Sequence, residues 1–283
     1  MKIFEKPLDR SSVFVEYGEL TADFPLHTHA FNELVVITSG KCDHIIDSTL
    51  YEIKAGDVFV LKGDTAHGFF NVGNVCLFNV MYLSDEPVLD YDYLKKLPGF
   101  QALFFVEPLY RKTDGFNHRL RLDAQGIRFA QRLLSLMLAE SAQPEDGFNH
   151  PLHIYFTSLI LFLSREYGRT LNNDSSIMQI SDTLAYMERN FHEPLTVREL
   201  AGKAYMSERN FTRVFMKSYH MPPKEYIIRL RVRRAGDQLR GTDWPVTRIA
   251  FDCGFNDANY FSRCFKQITG STPSEYRRTG CAR

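Results

Sequence analysis

Residues 195–219, LTVRELAGKAYMSERNFTRVFMKSY, and residues 246–270, VTRIAFDCGFNDANYFSRCFKQITG, are two half-similar stretches of one chain. In each stretch apolar residues recur at helical spacing, the spacing breaks over a few residues, and it then resumes. Ser207 and Asp257 follow the breaks, and both residue types favour the N-terminal cap of a helix. Each stretch therefore predicts a helix, a tight turn and a second helix, and the repetition strengthens the prediction.

The segment between the two stretches, residues 222–241 with the sequence PPKEYIIRLRVRRAGDQLRG, combines apolar residues at helical spacing with many arginines. A helix of about 18 residues is about 27 Å long. A rigid helix of this length holds two such motifs roughly one turn of B-DNA apart, about 34 Å. The spacing therefore favours two second helices that enter successive major grooves on one face of a duplex.

Residues 249–278, IAFDCGFNDANYFSRCFKQITGSTPSEYRR, together with the double motif and the arginine-rich segment, resemble the DNA-binding domain of AraC/XylS-type transcription regulators. The resemblance implies an all-helical domain over residues 177–283, in which a long helix joins two helix-turn-helix motifs. It also implies double-stranded DNA and RNA polymerase as partners.

By this resemblance, exposed positions of the two second helices read DNA bases. These positions are Arg209, Thr212, Arg213, Ala258, Asn259, Ser262 and Arg263. The chemistry agrees, because Arg can bind guanine O6 and N7 together, Asn can bind adenine N6 and N7, and Thr or Ala can contact a thymine methyl group. For each arginine, a phosphate contact or a solvated helix face is the alternative.

The distribution of charge along the chain supports a division into two parts. The 283 residues include 34 Lys and Arg and 34 Asp and Glu, so the formal net charge is zero. Residues 175–283 hold 18 basic and 11 acidic residues, a balance of +7, and residues 1–174 hold 16 and 23, a balance of −7. The length is sufficient for two domains, and the asymmetry favours a DNA-binding half joined to an acidic half with another task.

Cysteine usage and hydropathy narrow the class of protein further. The five cysteines, Cys42, Cys76, Cys253, Cys264 and Cys281, have no metal-type spacing, and their odd number does not favour a disulfide framework. We expect Cys253 and Cys264 to be small core residues. The first residues lack a signal-peptide pattern, and the most apolar window, residues 154–163, is too short to cross a bilayer. The sequence therefore predicts a soluble cytoplasmic protein with no membrane partner.

Short strand patterns separated by turn residues fill the region from residue 13 to residue 82. They cover residues 13–20, 33–39, 42–46, 50–53, 57–61, 66–71 and 75–82. Many short strands at close spacing predict a small β-barrel or sandwich.

Two motifs inside this region resemble the cupin motifs. Residues 27–40 place His-x-His, then Glu after three residues, then Gly after six, as in the first cupin motif. Residues 56–71 resemble the second motif through its Gly, His and Asn, although Lys62 and Asp64 replace the usual Pro and Gly. The resemblance maps the metal ligands of catalytic cupins onto His27, His29, Glu33 and His67. Three imidazoles and one carboxylate suit Zn, Ni, Mn or Fe(II).

A sugar pocket is the alternative to a metal site, because AraC-type regulators with sugar effectors carry a cupin-like barrel as their sensor. The same four polar side chains then bind hydroxyls, with Phe31, Tyr51 and Phe69 as candidate aromatic walls. Residues 24–40, FPLHTHAFNELVVITSG, and 56–69, GDVFVLKGDTAHGF, resemble the rhamnose-responsive activators of the family. L-rhamnose is therefore the first candidate effector, and no metal is required in this interpretation.

Two helical patterns follow the barrel. Asp123 is the expected N-cap of the first; the second, residues 151–168, starts with Pro151 in its first turn and ends with Gly168 as a C-cap. This second helix is apolar nearly all round, which favours burial on more than one side. An intramolecular core explains this pattern, and so does a homodimer interface, which the resemblance implies and which we favour. Residues 91–115 give no clear pattern, but their apolar segment is expected to cover the barrel.

Residues 172–176 lack apolar periodicity and predict a linker. The predicted architecture is a cupin-like effector-binding and dimerisation domain over residues 1–171, this linker, and the DNA-binding domain over residues 177–283. The favoured function is a sugar-controlled transcription activator without enzymatic activity. A metal or redox sensor with the same DNA-binding half, and a cupin enzyme fused to a DNA-binding domain, are the alternatives.

Overall fold

The computed structural model describes residues 2–4, 12–83, 89, 92–114, 119–170 and 176–280. The chain divides into two compact units, Met1–Asp182 and Thr183–Arg283. The predicted linker falls on residues 172–175, which lie outside the described residues, and on Ser176, which begins a helix. The thiol of Cys281 also lies outside them.

The described part of unit 1 contains an eight-stranded sheet that forms the predicted barrel. Its strands are β1 (Lys2–Phe4), β2 (Val13–Leu20), β3 (Phe24–His29), β4 (Asn32–Ile46), β5 (Thr49–Lys54), β6 (Asp57–Leu61), β7 (His67–Tyr82) and β8 (Leu120–Arg121). Strand β7 pairs with β4 on one side and with β2 and β3 on the other, and β4 also pairs with β5 and β6. The inward faces of these strands form one apolar core.

Two long strands replace four predicted short ones. The predicted strands 33–39 and 42–46 are both part of β4. The predicted strands 66–71, apart from residue 66, and 75–82 are both part of β7. Gly40 and Asn74 lie between the predicted strands and Asn71 ends one of them; all three have positive φ and sit at irregularities in the pairing. Such irregularities bend strands without ending them, so both halves of β7 face the same interior. Strands β1, β3 and β8 were not predicted.

Helices cover the barrel at one side. They are α1 (Asp92–Lys95), α2 (Pro98–Gln101), a π-helical turn Ala102–Val106, α3 (Glu107–Asp114), α4 (Ala124–Ala142) and α5 (Asn149–Thr170). The segment without a clear pattern is thus helical; Phe100 and Phe104 are fully buried, and Arg111 donates to the Val60 carbonyl of β6 at 2.8 Å. Asp123 caps α4 as predicted, accepting from the Gly126 amide at 2.7 Å.

Helix α5 differs from its prediction at two places. Pro151 lies in the first turn as expected, but Gly168 does not end the helix, which continues to Thr170. The residues buried along α5, among them Phe156, Leu159 and Leu163, form one side of the helix. Ile154 is 62% exposed, so within this chain the helix is not buried all round.

Unit 2 is helical, as predicted. Helix α6 (Ser176–Arg189) runs into it, followed by α7 (Val197–Lys203), α8 (Glu208–Tyr219), α9 (Pro223–Gly241), α10 (Val246–Asp252), α11 (Ala258–Thr269) and α12 (Pro273–Gly280). Ser207 and Asp257 cap α8 and α11, and the long helix α9 joins the two motifs, so these predictions are confirmed. Cys253 and Cys264 are buried in the core that α9, α10 and α11 share, also as predicted. No described helix of either unit has the length and hydropathy needed to span a bilayer.

Candidate effector site and nucleic-acid interface

The barrel contains a cavity of about 290 Å³, close to the lower end of the size range of ligand pockets, about 300–1,000 Å³. It is lined by Glu16, Gly18, Leu20, Phe24, His27, His29, Phe31, Glu33, His67, Phe69, Leu77, Asn79 and Met81. Along β2 and β7 these residues alternate with outward-facing ones, as the pleat of a strand requires.

The four side chains predicted from the two cupin motifs meet in this cavity and are buried. We call them the histidine cluster; its members are His27, His29, Glu33 and His67. The ligand nitrogens of His27, His29 and His67 all lie within 4.8 Å of one another. Nε2 of His29 is 3.0 Å from Nε2 of His67. Oε2 of Glu33 is 3.5 Å from the first of these nitrogens and 3.8 Å from the second. Strand pairing explains the proximity, since His27 on β3 lies opposite His67 on β7.

Backbone carbonyl groups fix which nitrogens face the cavity. Nδ1 of His27 lies 3.0 Å from the Pro25 carbonyl oxygen, and Nδ1 of His29 lies 2.7 Å from that of Phe31. A carbonyl oxygen only accepts, so each Nδ1 carries the proton and Nε2 is left to accept or to bind a cation. Two unprotonated nitrogens 3.0 Å apart repel each other, so the contact between His29 and His67 requires a proton on one of them or a cation bound by both.

Burial and neighbouring charge act differently on the three imidazoles. Burial lowers the pKa of His27. It also lowers the pKa of His67 strongly, and the adjacent His44 lowers it further. Burial acts in the same direction on His29, but the neighbouring Glu33 carboxylate outweighs it and the pKa of His29 is raised. His29 is therefore the imidazole of the cluster that most favours the extra proton.

The donor set fits a divalent cation for two reasons. Three imidazole nitrogens and a carboxylate oxygen converge, which is a ligand combination that Zn, Ni, Mn and Fe(II) accept. In addition, Oε2 of Glu33 is buried with no hydrogen-bond partner in the described part of the chain. A buried carboxylate oxygen without a donor is costly, and a cation would remove that cost.

A fourth histidine, His44, was missed. Its Nε2 lies 3.3 Å from Nδ1 of His67, its ring stacks on Phe69 with centroids 4.4 Å apart, and the side chain is fully buried. His44 therefore holds the ring of His67 from behind, in the manner of the partners that orient metal-binding imidazoles. It lies outside both cupin motifs, and its inward position between Cys42 and Ile46 on β4 was the available signal.

Of the predicted aromatic walls, two line the cavity and one does not. Phe31 stacks on His29 with centroids 4.3 Å apart, and Phe69 stacks on His44. Tyr51 packs in the barrel core, and its hydroxyl donates to the Arg111 carbonyl oxygen at 3.4 Å. The Tyr51 ring therefore packs in the core and does not line the cavity.

The predicted base-reading residues lie on α8 and α11 at equivalent places. Arg209, Arg213, Asn259 and Arg263 are exposed, and Thr212, Ala258 and Ser262 are half-buried. Arg213 donates to Oδ1 of Asn210 at 2.7 Å, and the Ser262 hydroxyl donates to the Ala258 carbonyl oxygen at 2.9 Å. Ala258 packs against the core of unit 2, consistent with its limitation to an apolar contact.

Comparison with known proteins agrees with this geometry. Residues 13–81 match the family described as a cupin domain, and residues 200–279 match the family described as a helix-turn-helix domain. A cupin ligand-binding domain followed by this DNA-binding domain defines a transcription regulator. The chain is an AraC-type transcription regulator, homologous to the activator RhaR.

The HTH-type transcriptional activator RhaR of Escherichia coli (strain K12) is 28% identical over 256 residues, which cover 90% of this chain and 87% of the relative. RhaR of Shigella boydii serotype 4 gives the same values. Among solved structures, the DNA-binding domain of AdpA in complex with a target DNA is 32% identical, covers 36% of this chain and 91% of that chain, and has a TM-score of 0.35.

Proposed function

We propose that this protein activates sugar-catabolism genes in response to a small neutral sugar, with L-rhamnose as the first candidate. The observation that carries the proposal is the cavity of about 290 Å³, in which hydrogen-bonding side chains and aromatic rings face one space. The likeness to RhaR, a rhamnose activator of the AraC family, supports the choice of the first sugar to test.

The lining suits a sugar chemically. The histidine cluster offers acceptors and donors that fix hydroxyl groups, and the rings of Phe24, Phe31 and Phe69 offer apolar faces for the carbon side of the sugar ring. None of these groups acts on the sugar covalently in the proposed function, so the protein is a regulator and not an enzyme.

On the DNA side, the seven residues Arg209, Thr212, Arg213, Ala258, Asn259, Ser262 and Arg263 read bases in two successive major grooves. The two recognition helices are centred about one helical turn apart, roughly 10.5 base pairs, and each contacts a few base pairs on either side, so each half-site is about 17 base pairs long. The protein works in the cytoplasm as a homodimer of sensor domains and contacts RNA polymerase at the promoter. Sugar binding shifts the populated arrangement of the DNA-binding arms.

The test begins with selection of binding sites from a random duplex library by the full-length protein. Fluorescence anisotropy on a selected duplex then gives the DNA affinity with and without L-rhamnose, and run-off transcription from the same site gives activation. We expect DNA affinity to rise by about 5- to 150-fold, the range of typical coupling energies, and the transcript level to rise with it. No change in either quantity with any sugar of a neutral panel would contradict the proposal.

A variant separates effector response from folding. His29→Ala removes a cavity side chain that contacts both His67 and Glu33. We expect it to blunt the sugar response while DNA affinity without sugar stays nearly unchanged. A collapse of basal DNA binding would instead assign His29 a role in holding the fold.

A second candidate function is a metal-responsive regulator, favoured by the unpartnered Oε2 of Glu33 facing two imidazole nitrogens. His27, His29, Glu33 and His67 would hold the ion, which would supply a Lewis-acidic centre for a hydroxyl or carboxyl oxygen of a ligand. Elemental analysis of protein purified without added metal salts tests this function. A full equivalent of metal, together with DNA binding that chelation abolishes and no response to any sugar, would favour it over the sugar activator.

A further inference from the structure

The cavity has a second polar group besides the histidine cluster. Glu16 on β2 and Asn79 on β7 are direct cross-strand partners, and both line the cavity. Side chains of directly opposed residues lie about 4.5–5.5 Å apart at their Cβ atoms. Neither residue belongs to a cupin motif. We call these two residues the Glu16–Asn79 pair.

The amide oxygen of Asn79 is unsatisfied. Oδ1 is buried and has no hydrogen-bond partner in the described part of the chain. The same is true of Oε2 of Glu33 in the histidine cluster. Both atoms are acceptors, and burying an acceptor without a donor is unfavourable. Two unpaired acceptors lining one cavity therefore indicate a ligand that donates at two places.

Strand register sets the distance between the two acceptors. On the β4–β7 ladder, Val35 lies opposite Asn79 and Glu33 lies opposite Met81, so Glu33 and Asn79 are diagonal neighbours. Diagonal neighbours on one face of a sheet are about 7–8 Å apart at Cα. A single pyranose ring with hydroxyl groups on opposite edges can span side chains at this separation.

The rest of the lining determines what else the ligand carries. None of the described residues that line the cavity is Lys or Arg, whereas Glu16 and Glu33 both are carboxylic side chains. An anionic sugar would therefore meet two carboxylates, and His29, the imidazole that favours a proton, already lies beside Glu33 at 3.5 Å. Leu20, Leu77 and Met81 add an apolar wall, which suits a methyl group better than a hydroxyl.

We infer that the Glu16–Asn79 pair sets ligand specificity, by binding the far hydroxyl edge of a neutral deoxy sugar whose near edge is bound by the histidine cluster. This inference rests on the proposed function and deepens it. It assigns the ligand to neutral methyl-bearing polyols and excludes sugar acids and sugar phosphates.

Isothermal titration calorimetry on the full-length protein tests the inference with four probes: L-rhamnose, L-mannose, D-glucuronate and L-rhamnose 1-phosphate. L-mannose differs from L-rhamnose only by a hydroxyl at C6. We expect L-rhamnose to bind, L-mannose to bind about tenfold more weakly, and the two anions not to bind. Tight binding of either anion would overturn the neutral-ligand assignment.

Two variants and one matched control test the residues themselves. Asn79→Leu should weaken L-rhamnose binding by about tenfold, since one hydrogen bond is lost and an acceptor is replaced by carbon. Glu16→Gln changes an exposed side chain of the pair, keeps the fold, and should weaken binding about threefold. Glu19→Gln is the control, because Glu19 is exposed on the same strand, is absent from the lining and is bonded to the Tyr17 hydroxyl at 3.0 Å. Its affinity should equal that of the wild type.

The outcomes separate the inference from the proposed function. If the wild type binds L-rhamnose and both variants bind it equally well, the specificity assignment is overturned and the sugar activator stands. If the wild type binds no neutral sugar, both are overturned. The thermal melt of unliganded Asn79→Leu checks folding, and Glu16→Gln keeps the test decisive if Asn79→Leu does not fold.

Discussion

The two helix-turn-helix motifs have nearly the same arrangement of buried and exposed residues, but different residue types adopt the left-handed backbone conformation in them. Helices α8 and α11 lie 50 positions apart, and their buried and exposed residues follow the same order along both. At the turn and at the helix end, however, the first motif has Tyr205 and His220 with φ of 52° and 56°. The second motif has Gly254 and Gly270 at these places, with φ of 86° and 80°.

In the second motif, glycine adopts the left-handed backbone conformation without steric cost. In the first motif, residues with side chains adopt it. A non-glycine residue in this region costs about 1–2 kcal/mol. The turns also differ in length, with residues 204–206 between helix and cap in the first motif and 253–256 in the second. Backbone strain of this kind concentrates at functional sites. Tyr205 is 81% exposed, so no burial of its ring offsets the strain within this chain.

Substitution of the glycine in the second turn should destabilise the protein most. In Gly254→Ala the new Cβ would lie 2.6 Å from the His192 carbonyl oxygen at a positive φ, so we expect a loss of at least about 3 kcal/mol of unfolding free energy. Gly270→Ala is the matched control, because nothing lies within 4 Å of its Cβ position, and it should lose only about 1 kcal/mol. Urea unfolding followed by the fluorescence of Trp244, the single tryptophan, reports on unit 2. Equal losses of stability in the two variants would show that the turn at Gly254 can accommodate a Cβ atom.

The next effect concerns DNA recognition by the two motifs. Arg213→Ala and Arg263→Ala, at equivalent positions of α8 and α11, should each cost about 1–3 kcal/mol of binding at one base position and relax sequence choice there. Affinity measured on duplexes mutated one base at a time checks this. Arg229→Ala, an exposed arginine of α9 paired with Glu225 at 2.8 Å, is the control. A uniform loss over all sequences would make either residue a phosphate contact.

The two N-terminal helix caps, Ser207 and Asp257, should contribute slightly different amounts to the free energy of unfolding. Ser207→Ala and Asp257→Ala each remove a side chain that accepts from a helix amide, and each should cost about 1 kcal/mol of unfolding free energy. The loss at Asp257 should be the larger of the two, because its charge also interacts with the helix dipole. Trp244 fluorescence during urea unfolding measures the unfolding free energy of both variants. By the same argument, Ser207→Asp should stabilise the first motif. A destabilising Ser207→Asp would contradict the dipole argument.

The smallest effect is a gain. Tyr205→Gly and His220→Gly should each stabilise the first motif by about 0.5–1 kcal/mol, because glycine adopts positive φ without steric cost. Thermal melts of the full chain measure the gain. If Tyr205→Gly also lowers DNA affinity or activation, the strained tyrosine serves function; if it destabilises the protein, the ring makes a contact that offsets the strain.

Local rules were sufficient for much of unit 2. Caps, turns and the joining helix follow from residue types at fixed spacing, so Ser207, Asp257 and the helix α9 were predictable. The barrel was predictable only in class, because Gly40 and Asn74 have the composition of turns but occupy bends inside long strands. What a positive-φ residue does there depends on the strand opposite, which is not local information.

The same reason separates the predicted site residues from the missed ones. The histidine cluster was found because its four members form sequence motifs. His44 and Asn79 reach the site through strand pairing and carry no local signal beyond alternation. Tyr51 on β5 also points inward. Because of where β5 pairs with β4, the Tyr51 hydroxyl reaches the Arg111 carbonyl oxygen and not the cavity.

In the proposed function, a sugar in the barrel and DNA on the recognition helices affect one another, and thermodynamic linkage makes this coupling reciprocal. The most direct test is the dissociation constant for L-rhamnose, measured by calorimetry on the full-length protein with and without a saturating selected duplex. We expect DNA to tighten L-rhamnose binding by the same factor by which L-rhamnose tightens DNA binding, about 5- to 150-fold. Equal affinity for the sugar in the free and the DNA-bound protein would contradict it.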